Sequence, residues 1–231
     1  MGRRVTFFFM SPRALRATLG LVTGLLATLL YLGVRGTGPE TGPPPTGEPD
    51  PLFADPRPAP ELALFDTDGE AVGLDVVGGQ VVALFFGYTQ CPDVCPITLS
   101  QLSRIRGELD PDGTRLRIVF VSLDPVRDTP EVLERYVASF GSDVLAWTAP
   151  VEVLRPQVLE YGIGFVYRPR AGGPADSVAP DPTGAFGDDY LVDHTARTFV
   201  IDGDGLLRAQ LLPDTRSDAL RDVLATVLDE G

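Results

Sequence analysis

The chain has 231 residues, with 19 basic against 32 acidic side chains and a formal net charge of −13. Every basic residue apart from the single histidine is arginine, so Schiff-base and P-loop lysine chemistry is excluded. The acidic balance argues against nucleic acid as a partner, because phosphate backbones need a basic face.

Residues 17–34 read ATLGLVTGLLATLLYLGV, without a charge or a proline. At 1.5 Å per residue, roughly 18 residues span about 27 Å, near the lower limit for crossing a bilayer. Arg3, Arg4, Arg13 and Arg16 precede the run and the first acid after it is Glu40. A single transmembrane anchor is expected, with residues 1–16 cytoplasmic and the remainder outside the cytoplasm at the cell membrane. The competing reading is a cleaved signal peptide, although no A-x-A site follows the run. Without the four leading arginines, 15 basic residues face 32 acidic ones, about −17 in the exported part.

Residues 35–58 are rich in proline and glycine and read as a linker; in polyproline geometry about 24 residues reach about 70 Å. A domain is expected over 59–231. LALFDTDGEAVGL predicts two short strands about the turn Asp66 to Gly69, and QVVALFFGY from Gln80 a buried strand. A helix follows, with Leu99, Leu102 and Ile105 at helical spacing, and RLRIVFVSL from Arg115 is the next buried strand. Asp128 or Thr129 caps a helix with Pro130 in its first turn and an inner stripe of Val132, Leu133, Tyr136, Val137 and Phe140. LAWTA is a short strand, VEVLRPQVLEYG a helix that Pro156 shifts or kinks, and GFVY a strand. The polar 169–189 stretch has no periodicity. YLVDHTARTFVID and LLRAQLL flank the turn Asp202 to Gly205 as a hairpin, and SDALRDVLATVLDE closes the chain as an amphipathic helix. Strands alternating with helices predict an α/β fold of thioredoxin-like order, with a central mixed sheet flanked by helices and an added hairpin.

Cys91 and Cys95 are the only cysteines and stand in GYTQCPDVCP, where a buried strand gives way to a helix. Pro96 suits the first helical position, which makes Cys95 the N-cap and puts Cys91 in the preceding turn. Both sulfurs then face free N–H groups that favour thiolate. Such a pair binds a soft metal or interconverts with a disulfide, while a structural disulfide is the bland alternative. His194 is the only histidine, and the exported part contains no methionine. A soft-metal site there has only Cys91, Cys95 and His194, with water or a carboxylate to add. That Cys2His set suits copper, whereas structural zinc takes four protein ligands. Asp193 is either an acceptor behind the histidine or a solvated acid.

GYTQCPDVCP, VSLDPVRDTPEVLERY and YLVDHTARTFVIDGDG, in that order, resemble the Sco/SenC family of membrane-anchored copper proteins over about residues 59–229. The resemblance implies a thioredoxin-like fold and copper, as Cu(I) or Cu(II), held by Cys91, Cys95 and His194. It also implies work on the dinuclear copper centre of cytochrome c oxidase, with subunit II of the oxidase as partner and another copper chaperone as donor. The long Pro/Gly-rich segment before Tyr190 departs from the family. In SLDPVRDTPE a strand end, turn and helix cap suffice, and Asp124 and Asp128 receive no catalytic role. Two other functions stay open: a metal-independent thiol-disulfide oxidoreductase or peroxidase with Cys91 and Cys95 as its redox dithiol, and a copper or redox sensor.

Overall fold

The computed structural model describes residues 51–172, 174–175 and 189–230. The expected membrane segment 17–34, most of the linker and most of the 169–189 stretch lie outside them. Among the described residues no helix is long and apolar enough to cross a membrane.

Among the described residues, ten strands and four α-helices follow in chain order: β1 Leu52–Pro58, β2 Leu64–Phe65, β3 Ala71–Val72, β4 Val81–Gly87, α1 Val94–Leu109, β5 Leu116–Ser122, α2 Pro130–Ala138, β6 Val144–Trp147, α3 Val151–Glu160, β7 Phe165–Pro169, β8 Tyr190–His194, β9 Thr198–Ile201, β10 Leu206–Leu211 and α4 Ser217–Glu230. The main sheet runs β1-β10-β9-β4-β5-β6. β4, β5 and β6 are parallel, from Val81 opposite Leu116 to Gly87 opposite Ser122, while β9 runs antiparallel to β4. This is the expected mixed sheet.

β4 is buried along its whole length, as its unbroken apolar sequence requires of a central strand with both faces covered. Alternation then divides its side chains between two layers. Val82, Leu84 and Phe86 pack with Leu154 and Val158 of α3 and with Tyr167 and Tyr190 of the β7–β8 ribbon. Val81, Ala83 and Phe85 pack with Leu99, Leu102 and Ile105 of α1 and Leu224 of α4. The two layers clamp β4, so its C-terminal end, where the cysteine turn begins, is rigidly held.

Three expectations need correction. The last residues of the 35–58 linker form β1, an edge strand antiparallel to β10. Pro56 and Pro58 are tolerated because an edge strand can point its missing donors away from the ladder. The register breaks between Leu52 and Arg57 to let Pro56 through. Second, α1 starts at Val94 with Asp93 as N-cap, so Cys95 lies inside the first turn. Pro96 is no obstacle, because N–H groups throughout the first turn lack intrahelical partners. Third, YLVDHTARTFVID does not form one arm of a hairpin. β8 pairs with β7, from Phe165 opposite His194 to Pro169 opposite Tyr190, and only β9 enters the main sheet, where it makes the expected hairpin with β10. Around 195–197 the chain passes from one sheet to the other, with the Thr195 N–H bonded to the Gly164 carbonyl.

The other expected elements are present. Thr129 caps α2, its hydroxyl accepting from the Val132 N–H, with Pro130 in the first turn. Pro156 falls inside α3, where the Glu152 carbonyl loses its helical donor.

β1 covers the edge that β10 otherwise presents to solvent. A chain beginning at residue 59 should therefore be less stable than one beginning at residue 51 by about 1–3 kcal/mol, from lost strand hydrogen bonds and the partly buried Leu52 and Phe53. Paired thermal melts check this, with the lower midpoint expected for the shorter chain.

Candidate metal centre

The cysteine turn leaves β4 at Gly87, and that glycine is required by contact rather than by conformation. A Cβ at position 87 would lie 2.7 Å from the Cys95 Sγ and 2.9 Å from the Phe120 ring. Cys95 can thus sink its sulfur against the end of the central strand, where it is fully buried, while Cys91 stays half-buried; both are free thiols.

Unequal burial separates the two thiols chemically. The Cys95 S–H bonds to the Cys91 sulfur, and the N–H groups of Asp93 and Cys95 add to it; together they hold Cys91 down at about 5 despite its partial burial. Across the same bond Cys95 is pushed far above the ordinary thiol range, by its contact with Cys91 first and burial second. At neutral pH the pair is one thiolate and one thiol sharing a proton.

His194 ends β8 at the same end of the sheet. Its ring meets the Tyr88 ring edge-on, 6.0 Å between centroids, and its charge would stabilise the Cys91 thiolate. Burial pushes the imidazole down, so it is neutral at pH 7. Its Nδ1 is buried without a hydrogen-bond partner. An unsatisfied buried nitrogen is costly, and a neutral imidazole nitrogen beside a thiolate is a donor set that fits a soft or borderline metal. Among the described residues, however, no three of His, Cys, Asp and Glu converge closely enough to hold an ion. The two thiols act on one another and His194 acts on Cys91, but a metal shared by all three would need them drawn closer together. Asp193 is not behind the histidine: its carboxylate takes Arg168 at 2.6 Å in a surface ion pair.

Asp124 and Asp128, which sequence reasoning left as a turn and cap, are buried beneath the site. Asp128 accepts from the Thr89 N–H at 3.0 Å, the Thr89 hydroxyl at 2.5 Å and the Ser122 hydroxyl at 2.5 Å, which ties the cysteine turn to β5. Burial pushes its carboxyl up to about 6, against those hydrogen bonds and with the neighbouring Asp124. Asp124 accepts from the Tyr190 hydroxyl at 2.6 Å, which ties β8 to the same turn. The only signal in the sequence was the pair of acids after a buried strand. A groove of about 450 Å³ lined by Phe65, Pro125, Val126 and Val151 opens nearby but reaches neither cysteine nor His194.

The SCO1/SenC family model matches residues 55–229. The chain belongs to the SCO1/SenC family. Among its relatives, a Stutzerimonas stutzeri protein named as copper-binding is 32% identical over 175 residues, 75% of this chain and 78% of its own. The solution structure of apo Sco1 from Thermus thermophilus is 34% identical, with a TM-score of 0.61 over 78% of this chain and 94% of that one. Bradyrhizobium japonicum ScoI, solved with copper bound, is 27% identical, with a TM-score of 0.58 over 73% and 98% of the two chains. The SCO1/SenC match begins at residue 55, within β1, in agreement with that strand's place in the sheet.

The split between the two thiols has a direct readout in this SCO1/SenC domain. Alkylation of the reduced, metal-free protein should modify Cys91 at a rate that halves only near pH 5. An ordinary thiol loses its reactivity below about 8.5. Mass spectrometry across pH should find Cys95 unmodified throughout; a Cys91 midpoint near that of a free thiol would show that the sulfur–sulfur hydrogen bond does not form.

Proposed function

We propose that this protein binds copper through Cys91, Cys95 and His194 and uses it in the assembly of cytochrome c oxidase, at the dinuclear copper centre of subunit II. The observation that carries this reading is the buried, unpartnered Nδ1 of His194 beside the Cys91 thiolate. On this reading the metal is cargo, passed on to the oxidase. Soft thiolates select Cu(I), and the added imidazole suits Cu(II).

Each residue then has distinct work. Cys91 is already a thiolate and makes the first contact. Cys95 must release the proton it shares with Cys91 before both sulfurs can bind, so capture carries a proton outward. His194 is neutral and needs no deprotonation, and closing it onto the sulfurs distinguishes holding from release. Residues 17–34 anchor the chain in the cell membrane and the domain stands outside the cytoplasm. With β1 drawn into the domain, about 17 residues of linker remain, a reach of about 50 Å in polyproline geometry. That reach serves a partner fixed in the same membrane, with another copper chaperone as donor.

The split thiol pair also favours a second activity on the same target. Cys91 thiolate attacks a partner disulfide, forming a mixed disulfide and releasing one partner thiol. Cys95 then attacks Cys91, releasing the second partner thiol and leaving a Cys91–Cys95 disulfide. The partner's disulfide is reduced by two electrons and the two cysteines are oxidised, which prepares thiols for copper.

Metal binding to the purified domain, with variants, tests the copper reading. The reduced domain should bind one copper per chain, and Cys91→Ser or Cys95→Ser should each abolish tight binding. His194→Ala should keep Cu(I), lose most thiolate-to-Cu(II) charge-transfer absorption and fail to restore oxidase in a deletion strain. Wild-type absorption and wild-type oxidase activity in His194→Ala would favour a metal-independent dithiol enzyme.

A further inference from the structure

Arg127 lies three residues beyond Asp124 in the turn beneath the site, and its side chain is only 6% exposed. Its Nε donates to Asp124 Oδ2 at 2.6 Å. Its Nη1 donates to the Tyr190 carbonyl at 2.8 Å and to Gln90 Oε1 at 3.3 Å. The guanidinium sits 3.5 Å from the centroid of the Tyr190 ring and 5.9 Å from that of Tyr88, both within cation–π range. Asp124 completes the arrangement by accepting from the Tyr190 hydroxyl.

One guanidinium thus holds two segments that are distant in sequence. Tyr88 and Gln90 flank the start of the cysteine turn, and Tyr190 opens the strand that His194 ends. We propose that Arg127 is a positioning residue that holds the start of β8 against the cysteine turn, so that only the His194 end of the strand has to close to bring the imidazole onto the two sulfurs. This rests on the ligand set proposed above. Stability alone is a poor reason for such a pair: desolvating two charges offsets most of their attraction, and well-packed apolar replacements of buried pairs are often neutral or better. What the pair supplies is geometry, because a planar fork can satisfy a carboxylate, a carbonyl and a ring face at once, and a lysine cannot.

The assignment is tested on the purified domain with Asp124→Asn/Arg127→Met, in which neither member of the ion pair is left as a lone buried charge and the Asn oxygen can still accept from Tyr190; Arg127→Lys is the companion. Cu(I) affinity should match the parent, since it rests on the sulfurs. Cu(II) affinity should fall about tenfold or more, the usual effect of losing an outer partner of a metal ligand, with a shifted charge-transfer band. In a His194→Ala background the same change should have no further effect. In the metal-free protein, amide exchange in β8 should accelerate while β9 stays protected. Cu(II) affinity within about twofold of the parent, or an equal loss with and without His194, would overturn the proposal. If His194→Ala itself leaves Cu(II) binding intact, the ligand set is wrong, and β8 exchange alone then decides whether Arg127 locks the strand.

Discussion

Cys95 packs its sulfur against the last residue of the central strand, and Gly87 makes room for it: a Cβ there would stand 2.7 Å away. The burial of that sulfur orders the rest of the site. A buried thiol far from solvent keeps its proton, and the nearest acceptor for it is the Cys91 sulfur, which therefore carries the charge. The cysteine turn cannot drift, because Thr89 is bonded twice to the buried Asp128. Substituting Gly87 would push the sulfur away from β4 and dissolve the asymmetry between the thiols.

Around this pair the protein has distributed its polar groups unevenly. The surface is acidic, yet the groups that act on the sulfurs are a neutral histidine, the Tyr88 and Tyr136 rings and one buried carboxyl, Asp128, which adds to the upward push on Cys95. A thiolate in that setting meets no carboxylate within the turn itself other than Asp93, which is exposed. Copper arrives as a cation, and the long-range field of an acidic domain favours its approach. In the proposed ligand set the thiolate then supplies the specific contact. Field and ligand thus act at different distances.

Much of the fold was legible because the strongest signals were long and simple. VVALFFG could only be a strand covered on both faces, and Leu99, Leu102 and Ile105 could only face a core. β1 was missed because its prolines mark a linker when no partner strand is known, and an edge position is a property of the sheet. The division of YLVDHTARTFVID escaped for a related reason, since apolar alternation predicts extended chain but not which sheet accepts it. The proposed ligand set was legible by scarcity: two cysteines and one histidine left few choices. Asp124, Asp128 and Arg127 were not, because acids and an arginine after a strand look like any solvated turn, and only burial distinguishes them.

The ligand set itself is open to direct observation by X-ray absorption at the copper edge of the Cu(II)-loaded domain. Two sulfur scatterers and one imidazole are expected, with the imidazole signal absent from His194→Ala. A shell of nitrogen and oxygen alone, or an imidazole signal that survives in His194→Ala, would contradict copper binding by Cys91, Cys95 and His194.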